Sequence, residues 1–333
     1  MTEHYRSYRA FLEEKYGERV YRLGVDGGFS CPNRKGDGSG GCSFCDGTGS
    51  KAAYQRREER SFSGKPFAED ASKAVLLSRL PMEERIASIG RQIEAARTFV
   101  SHRYKARLYS LYFQAWTNTY GPVEELKQLY DAALKTGTFE ELIVSTRPDE
   151  IDDEKAELLE GYKGQVKEVW VEVGLQSAND TTLLHIGRGH DTACYYRACD
   201  ILHRHGLKVS THVILGLPGE GRSDYLKTAQ AVGKAGSEGV KIHNLDICGG
   251  TRLLDEFLEG EIGVPSFPRH LESTVLFLRH IPSSVVVERL LCETPSHRLA
   301  APRSFGVKNR FIEALEETME KNGYYEGDSY EAT

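Results

Sequence analysis

The sequence predicts an α/β fold: a partial (β/α)6 TIM-like barrel followed by a C-terminal α+β extension. Six short apolar runs, typical of buried strands, alternate with amphipathic stretches of helical period between residues 20 and 245. Strands that alternate with helices pair in parallel through right-handed crossovers. Six repeats fall short of the eight that close a TIM barrel, so we expect the sheet to form part of a barrel.

We expect the chain of 333 residues to divide into three parts. These are an N-terminal helix in residues 1–19, the partial barrel in residues 20–245 and an extension covering the barrel mouth in residues 246–333. The predicted strands are Val20–Val25, Ala106–Phe113, Glu141–Ser145, Glu168–Gly174, Lys208–Leu215 and Val240–Leu245. The predicted helices between them are Met82–His102, Val123–Lys135, Asp153–Tyr162, Asp191–His205 and Ser223–Ala235.

Composition and charge exclude several classes of protein. A formal charge of −6 and a pI near 6.0 exclude an overall basic surface for nucleic acid, although a local basic patch is compatible with them. No stretch approaches the apolar length of a membrane span, and the charged N-terminus does not resemble a signal peptide. Seven clustered cysteines, an odd number, argue against a secreted disulfide framework. We therefore predict a cytoplasmic protein without membrane association.

Three of the cysteines, Cys31, Cys42 and Cys45, lie in the glycine-rich segment CPNRKGDGSGGCSFC directly after the first predicted strand. Three thiolates cannot complete a tetrahedral zinc site by themselves. They can hold three irons of a [4Fe–4S] cube and leave the fourth iron open to a non-protein ligand. The alternative is a zinc knuckle whose fourth ligand comes from elsewhere, such as one of the eleven histidines.

Polar segments also follow the other predicted strands, at the end where parallel α/β folds collect their chemistry. These segments are YFQAWTNTYGP at 112–122, STRPDEID at 145–152, EVGLQS at 172–177 with GRGH at 187–190, THVILGLPGE at 211–220 and KIHNLDICGGT at 241–251. Their concentration at one edge of the sheet predicts an active-site rim. The ordinary polarity of loops would produce a similar pattern.

The cysteine triad, GLQS followed by GRGH, and HVILGLPGE together resemble the radical S-adenosylmethionine (SAM) superfamily. Within it, the chain resembles the Elongator catalytic-subunit-like branch, and most closely its compact bacterial members without an acetyltransferase domain. The resemblance extends from about Val20 to the end and includes HRLAAP at 297–302 and KNGYYEGDSY at 321–330. It implies the radical SAM type of partial barrel.

The resemblance implies that Cys31, Cys42 and Cys45 ligate a [4Fe–4S] cluster whose fourth iron is chelated by SAM. It also implies a set of SAM-binding residues: Phe44, Gln114, Trp116, Thr117, Glu172, Gln176, Arg188, His212 and Ile214. The QAWT segment at 114–117 takes the place of a Gly-Gly-Glu stretch that contacts the methionyl amine. No catalytic acid–base pair is recognised, and radical formation does not require one.

Individual contacts follow from the same resemblance. Phe44 and Ile214 are implied to pack beside the adenine, and His212 beside the ribose. Gln176 and Arg188 match positions that bind the ribose and the methionyl carboxylate, and a guanidinium fork is suited to a carboxylate. Glu172 is implied to reach a ribose hydroxyl or the substrate.

Simpler roles stay open for some of these positions. The Ser177 hydroxyl can cap the following helix. The Arg188 guanidinium can pair with a surface carboxylate such as Asp191. Cys248 and Cys292 have no assigned role.

The branch includes enzymes of tRNA wobble-uridine modification, and one compact group converts 5-carboxymethylaminomethyl uridine to the 5-aminomethyl form. The implied reaction is reductive cleavage of SAM to a 5′-deoxyadenosyl radical, with tRNA as substrate and flavodoxin or ferredoxin as electron donor. Aromatic candidates for stacking on an anticodon base are Tyr112, Trp116 and Tyr120. Candidates for phosphate contacts, unless they form only a solvated loop, are Arg34, Lys35, Lys51, Arg56, Arg57 and Arg60.

Two other functions remain as alternatives. The first is a radical SAM enzyme that acts on a small metabolite or a peptide. The second is a zinc-stabilised RNA-binding module without catalytic activity.

Overall fold

The computed structural model of the protein describes residues 4–35, 40–47, 80–303 and 305–332. Its helices are α1 (Tyr8–Tyr16), α2 (Met82–Tyr104), α3 (Val123–Leu134), α4 (Asp153–Glu160), α5 (Asp180–His185), α6 (Thr192–Arg204), α7 (Arg222–Lys234), α8 (Arg252–Leu258), α9 (Phe267–Arg279) and α10 (Lys308–Asn322). Its strands are β1 (Val20–Val25), β2 (Leu108–Phe113), β3 (Glu141–Thr146), β4 (Glu168–Gln176), β5 (Lys208–Leu215), β6 (Gly239–Asn244), β7 (Ile247–Cys248), β8 (Val286–Arg289) and β9 (Leu299–Ala301). None of the helices within these ranges combines the length and the apolar character needed to cross a membrane.

Seven parallel strands form one curled sheet in the order β1-β2-β3-β4-β5-β6-β8, so the predicted partial barrel is confirmed. The seventh strand, β8, was not among the six predicted. Its apolar run ends at Val287 and is followed by Glu288 and Arg289, which hides the pattern of a buried strand. β8 pairs with β6, so the C-terminal segment extends the sheet itself as well as following it.

Alternation along the strands separates two faces of the sheet. Leu23, Leu111, Val144 and Val171 point to the outer face and are fully buried in one core cluster with side chains of the surrounding helices. The inner face carries polar side chains at many positions between them. A half-barrel with a dry outer layer and a polar interior is the result.

Helix α1 covers the end of the barrel where the strands begin. Phe11 and Leu12 pack with Val20 of β1, Trp170 of β4 and Val286 of β8, which lie on the inner face of the sheet. The helix begins after Ser7, whose side chain accepts a hydrogen bond from the amide of Ala10, and this N-cap stabilises the first turn. Because this end is closed, the opposite end is the open mouth.

The C-terminal segment lies beside the mouth. Strand β7 follows β6 directly and pairs antiparallel with β9, with Ile247 opposite Ala301. Arg298, just before β9, donates from Nε to Oδ2 of Asp46 at 2.6 Å. This ion pair joins the segment to the loop that carries the cysteine triad.

Candidate active site at the carboxyl ends of the strands

The cysteine loop follows β1 and is held against the mouth by backbone hydrogen bonds. The amide of Ser43 donates to the carbonyl of Ile186 at 2.8 Å, and the amide of Leu253 donates to the carbonyl of Ser43 at 3.1 Å. Gly41 has φ +96°, and an added Cβ there would lie 3.1 Å from the Arg34 guanidinium. Glycine is therefore required at this turn, because a side chain would disturb both the backbone and Arg34.

Hydrogen-bond donors surround two of the three thiols. Nη1 of Arg188 and Nδ2 of Asn33 each lie 3.5 Å from Sγ of Cys42, and Nη2 of Arg34 lies 3.1 Å from Sγ of Cys45. Burial opposes ionisation of Cys42 most strongly, but the charges of Arg188 and Arg147 and the hydrogen bonds from Arg188 and Asn33 together outweigh it, so the pKa of Cys42 is lowered. Burial dominates at Cys45, whose pKa is raised although Arg34 acts in the opposite direction.

The donor set fits a [4Fe–4S] cube. Cys31, Cys42 and Cys45 lie on one loop, and guanidinium groups that point at the sulfurs of Cys42 and Cys45 stabilise thiolate charge. Within the described ranges, no three His, Cys, Asp or Glu side chains converge closely enough for one metal ion. A cube distributes three cysteines over three different irons, so it requires a shared loop and not a single coordination sphere.

Arg188 connects the cysteine loop to strand β4. Its side chain is 6% exposed, and Nη2 donates to the carbonyl of Gly174 at 2.6 Å. Its Nε is buried and has no hydrogen-bond partner in the described part of the chain. Asp191 instead caps α6 by accepting from the amide of Cys194, so the surface ion pair left open above does not form.

Gln176 ends β4 at a bulge and has a positive φ of 74°. A Cβ added at Gly174 would lie 2.5 Å from Nη2 of Arg188 and 2.7 Å from Nε2 of Gln176. The absence of a side chain at Gly174 therefore makes room for both predicted SAM-binding residues. The structure places these two side chains together at Gly174, and Arg188 also contacts Cys42.

The QAWT segment lies against the same loop. The amide of Gln114 donates to the carbonyl of Val25 at 3.3 Å, and that of Thr117 donates to the carbonyl of Ser30, next to the first cysteine, at 3.2 Å. Trp116 has φ +67°, and the Arg34 guanidinium lies 5.4 Å from its ring centre.

The predicted adenine contacts also come together. Phe44 packs against a buried apolar cluster that contains Ile214 of β5, Leu217 and Leu245. This cluster forms an apolar wall between the cysteine loop and the carboxyl ends of β5 and β6. A flat aromatic base is the kind of group that such a wall can contact.

Two interpretations of the predicted RNA-contacting residues are wrong. Tyr112 is 6% exposed and points into the barrel, so its ring cannot stack on an external base. Arg34 donates to the carbonyl of Cys45 at 2.9 Å and to its sulfur, so it belongs to the cysteine loop and not to a phosphate-binding surface. Tyr120 is 42% exposed, and Lys35 is exposed. The remaining basic candidates, Lys51, Arg56, Arg57 and Arg60, lie outside the described residues.

Glu172 is the centre of a buried network inside the barrel. Tyr112 and Ser145 each donate to its Oε2 at 2.6 Å, and Nε2 of His212 lies 3.0 Å from the same oxygen. Nζ of Lys241 pairs with Oε1. Burial raises the pKa of Glu172, but Lys241, His212 and Arg22 together outweigh it and hold the pKa well below its usual range.

Sequence reasoning missed most of this network. Arg22 donates from Nη1 to Oε1 of Glu172 at 3.1 Å and pairs through Nη2 with Glu288, while Lys241 donates to the Tyr112 hydroxyl at 3.0 Å. One signal was present in the sequence: Arg22 in VYRLGV, Lys241 in VKIHNL and Glu288 in VVVERL each interrupt an apolar strand. Charges at such positions indicate a polar lumen.

The GLQS and LPGE motifs meet through Ser177 and Glu220. The Ser177 hydroxyl donates to Oε1 of Glu220 and accepts from the amide of Asn179 at 3.0 Å. Asn179, and not Ser177, caps α5 by accepting from the amides of Thr181 and Thr182. Burial raises the pKa of Glu220 to about 7.

Comparison with known proteins agrees with this site. The family model of the radical SAM superfamily matches residues 31–232, and that of the radical SAM C-terminal domain matches residues 237–321. The chain is 35% identical over 292 residues to protein YhcC of Escherichia coli (strain K12), covering 87% of this chain and 84% of YhcC. It is 29% identical over 328 residues to YtqA of Bacillus subtilis (strain 168), and the match covers 98% of this chain and 93% of YtqA.

Among solved structures, the fold is similar to that of the archaeal Methanocaldococcus infernus Elp3 with an N-terminal deletion, with a TM-score of 0.62 and 21% identity. The match covers 74% of this chain and 62% of that chain, and at this identity it shows the fold alone. Members of the matched superfamily use a [4Fe–4S] cluster and SAM. The cysteine loop, the curled parallel sheet and the family match lead to one conclusion: the chain belongs to the radical SAM superfamily.

Proposed function

We propose that this enzyme acts on the wobble uridine, U34, of tRNA and converts its 5-carboxymethylaminomethyl group to the 5-aminomethyl form. Superfamily membership supports an enzyme that uses a [4Fe–4S] cluster and SAM, and it sets aside the alternative of a non-catalytic zinc module. The observation that carries the proposal is the position of the cysteine loop, with Arg188 donating to Cys42, at the open mouth of a half-barrel with a polar interior.

In this proposal Cys31, Cys42 and Cys45 hold the cluster. When bound, the cluster and SAM supply reductive cleavage of the sulfonium C–S bond and a 5′-deoxyadenosyl radical that takes a hydrogen atom from the substrate. Arg34 and Arg188 hold the sulfurs of Cys45 and Cys42 through N–H···S contacts. The buried position of Cys42 excludes water from this side of the site.

The predicted SAM contacts remain part of the proposal. Arg188 offers its unpartnered Nε to the methionyl carboxylate, and Gln176 lies beside it for the ribose. Phe44 and Ile214 border the adenine. His212, whose pKa is lowered by burial, presents a neutral ring between Glu172 and the mouth.

The choice of tRNA rests on the motif resemblance to the Elongator catalytic-subunit-like branch and is supported by the shared fold with an archaeal Elp3. Trp116 and the exposed Tyr120 lie on the segment that follows β2, at the mouth, where an anticodon base would arrive. We include a low-potential electron donor such as flavodoxin or ferredoxin, because reductive cleavage of SAM requires one electron.

Nucleoside mass spectrometry of tRNA from cells with and without the gene tests the function. The proposal expects 5-carboxymethylaminomethyl uridine to accumulate and the 5-aminomethyl form to disappear in the deletion strain. The wild-type gene restores the profile, and a Cys42→Ala copy does not. Unchanged wobble nucleosides in the deletion strain would refute the proposal. Deuterium transfer into 5′-deoxyadenosine from a non-RNA compound would then favour a metabolite or peptide substrate.

A further inference from the structure

Arg289 lies at the end of β8 and faces the lumen of the half-barrel. A register shift between Val240 and Lys241 brings Arg289 opposite Lys241, which is an inward-facing residue of β6. Glu288, the residue before it, also points inward, because it pairs with Arg22 and lies 3.7 Å from Nζ of Lys241. The bulge therefore places two consecutive side chains of β8 inside the barrel.

The side chain of Arg289 makes no hydrogen bond or ion pair with the described part of the chain, although it is only partly exposed. Two cations that line the same part of the lumen are paired, since Arg22 binds Glu172 and Glu288, and Lys241 binds Glu172. The carboxylates of Glu172 and Glu288 are thus already engaged by Arg22 and Lys241. A guanidinium in a confined space without a carboxylate is a site that attracts an anion.

The positive charge of Arg289 acts on other side chains of the lumen. Burial, and after it the charge of Arg289, lower the pKa of His243 well below its usual range. The same positive charge acts on Tyr112 of β2, His212 of β5 and Lys241 of β6. Its charge therefore acts on inward side chains of three other strands, which agrees with the inward position that the register of β8 gives to Arg289.

His243 supplies a second unsatisfied group at the same place. Its Nε2 is buried and has no hydrogen-bond partner among the described residues. Its ring centre lies 5.4 Å from that of His212, which in turn contacts Glu172. Buried polar atoms in folded proteins are normally paired, so a ring nitrogen and a guanidinium of the same lumen that both lack a partner among the described residues indicate a missing ligand.

We propose that Arg289, assisted by the ring of His243, binds a carboxylate of the substrate inside the half-barrel. This inference rests on the proposed function, because the carboxymethyl group on the U34 side chain is the carboxylate concerned. The guanidinium fork takes both oxygens, and a neutral His243 protonated at Nε2 donates one further hydrogen bond. Holding the carboxylate also holds the adjacent methylene carbon, which carries the hydrogen to be removed.

A backbone phosphate of tRNA has the same anionic oxygens, so the test separates the two sources. Binding of tRNA to the anaerobic holoenzyme is measured with tRNA that carries either the 5-carboxymethylaminomethyl or the 5-aminomethyl group. For Arg289→Gln, we expect roughly 10- to 100-fold weaker binding of the first tRNA and unchanged binding of the second. Arg289→Lys, which keeps the charge and loses the fork, is expected to fall between the wild type and Arg289→Gln.

Arg310→Gln is the matched control, because it removes the same charge from the exposed face of α10. It is expected to bind both tRNAs as the wild type does. An equal loss for both tRNAs with Arg289→Gln would assign Arg289 to phosphate and overturn the proposal. No loss for either tRNA would overturn it as well.

A second experiment tests carboxylate binding at Arg289 independently of the proposed action on tRNA. The melting temperature of the holoenzyme is measured with increasing acetate or N-methylglycine. A rise in the wild type and in Arg310→Gln that is absent in Arg289→Gln supports the carboxylate site, even if neither tRNA is converted. If the wild type shows no rise, the site is refuted, whatever the tRNA result.

Discussion

Nη1 of Arg188 donates to Sγ of Cys42 across 3.5 Å, although 146 residues separate them in the chain. The same guanidinium binds the carbonyl of Gly174 through Nη2 at 2.6 Å. One side chain thus joins the GRGH segment, strand β4 and the cysteine loop. Hydrogen bonds to the sulfurs of an iron–sulfur cluster raise its reduction potential, so this contact has a chemical as well as a structural effect.

Loss of one thiol of the triad should remove the cluster. We expect Cys42→Ala, purified and reconstituted anaerobically, to lose most of its bound iron and sulfide and all SAM cleavage. Cys199→Ala is the control, because Cys199 is a buried side chain of the α6 packing layer and lies in the main core cluster. Iron and sulfide assays with visible absorbance measure the result. A Cys42→Ala protein with full iron content would exclude Cys42 as a ligand.

Gly174→Ala should weaken SAM binding with little effect on the fold. The new Cβ would lie 2.5 Å from Nη2 of Arg188 and 2.7 Å from Nε2 of Gln176, so these flexible side-chain ends have to move. We expect SAM affinity to fall by about 10-fold or more, the loss of roughly one charge-assisted hydrogen bond. The control is Gly164→Ala, where an added Cβ meets nothing within 4 Å. Equal SAM dissociation constants for both variants would contradict the assignment.

Lys241→Met should destabilise the barrel. Lys241 is 1% exposed and pairs with Glu172, so its removal leaves a buried carboxylate with fewer partners. We expect the free energy of unfolding to fall by about 3 kcal/mol, as for other broken buried ion pairs. Lys208→Met, which breaks a pair with Glu168 at a side chain that is 34% exposed, should cost at most about 1 kcal/mol.

A double variant isolates the Lys241–Glu172 interaction. Lys241→Met combined with Glu172→Gln should lose less stability than the two single variants added together, because the uncompensated charge is removed. Urea unfolding of the four proteins measures this coupling. Additive losses would show that the two side chains do not interact in solution.

Glu220 should make stability depend on pH. Burial raises its pKa to about 7 from the ordinary 4.5, so the folded protein holds this proton after the unfolded chain has released it. The contribution of protonated Glu220 to the free energy of unfolding is present in full below pH ~4.5 and is lost as the pH rises to ~7. We expect the free energy of unfolding of Glu220→Gln, minus that of the wild type, to increase across this window and then remain constant.

Urea unfolding at half-unit intervals from pH 4.5 to 8 measures the Glu220 effect. Glu316→Gln, an exposed residue of α10, is the control and should show a flat difference. A flat difference for Glu220→Gln too would mean that its carboxyl ionises equally in both states.

The strands could be predicted because their signal is local. Val20–Val25 and Lys208–Leu215 have the predicted bounds, and β6 differs from its prediction by one residue at each end. Apolar periodicity within a few residues decides which face of a strand is buried, and no distant partner is needed for that. β8 was missed because its own run is short and its burial depends on pairing with β6.

The sequence by itself determined the alternation of strands and helices, the cysteine triad and the edge at which the motifs lie. Only the tertiary structure decided that Tyr112 faces inward, that Arg34 binds Cys45, that Ser177 meets Glu220, and that the Arg289 side chain has no hydrogen-bond or ion-pair partner among the described residues. The physical reason is that charge pairing and burial depend on which strands close around the lumen. Arg22 and Glu172, for example, are 150 residues apart in the chain and become neighbours only when the sheet curls.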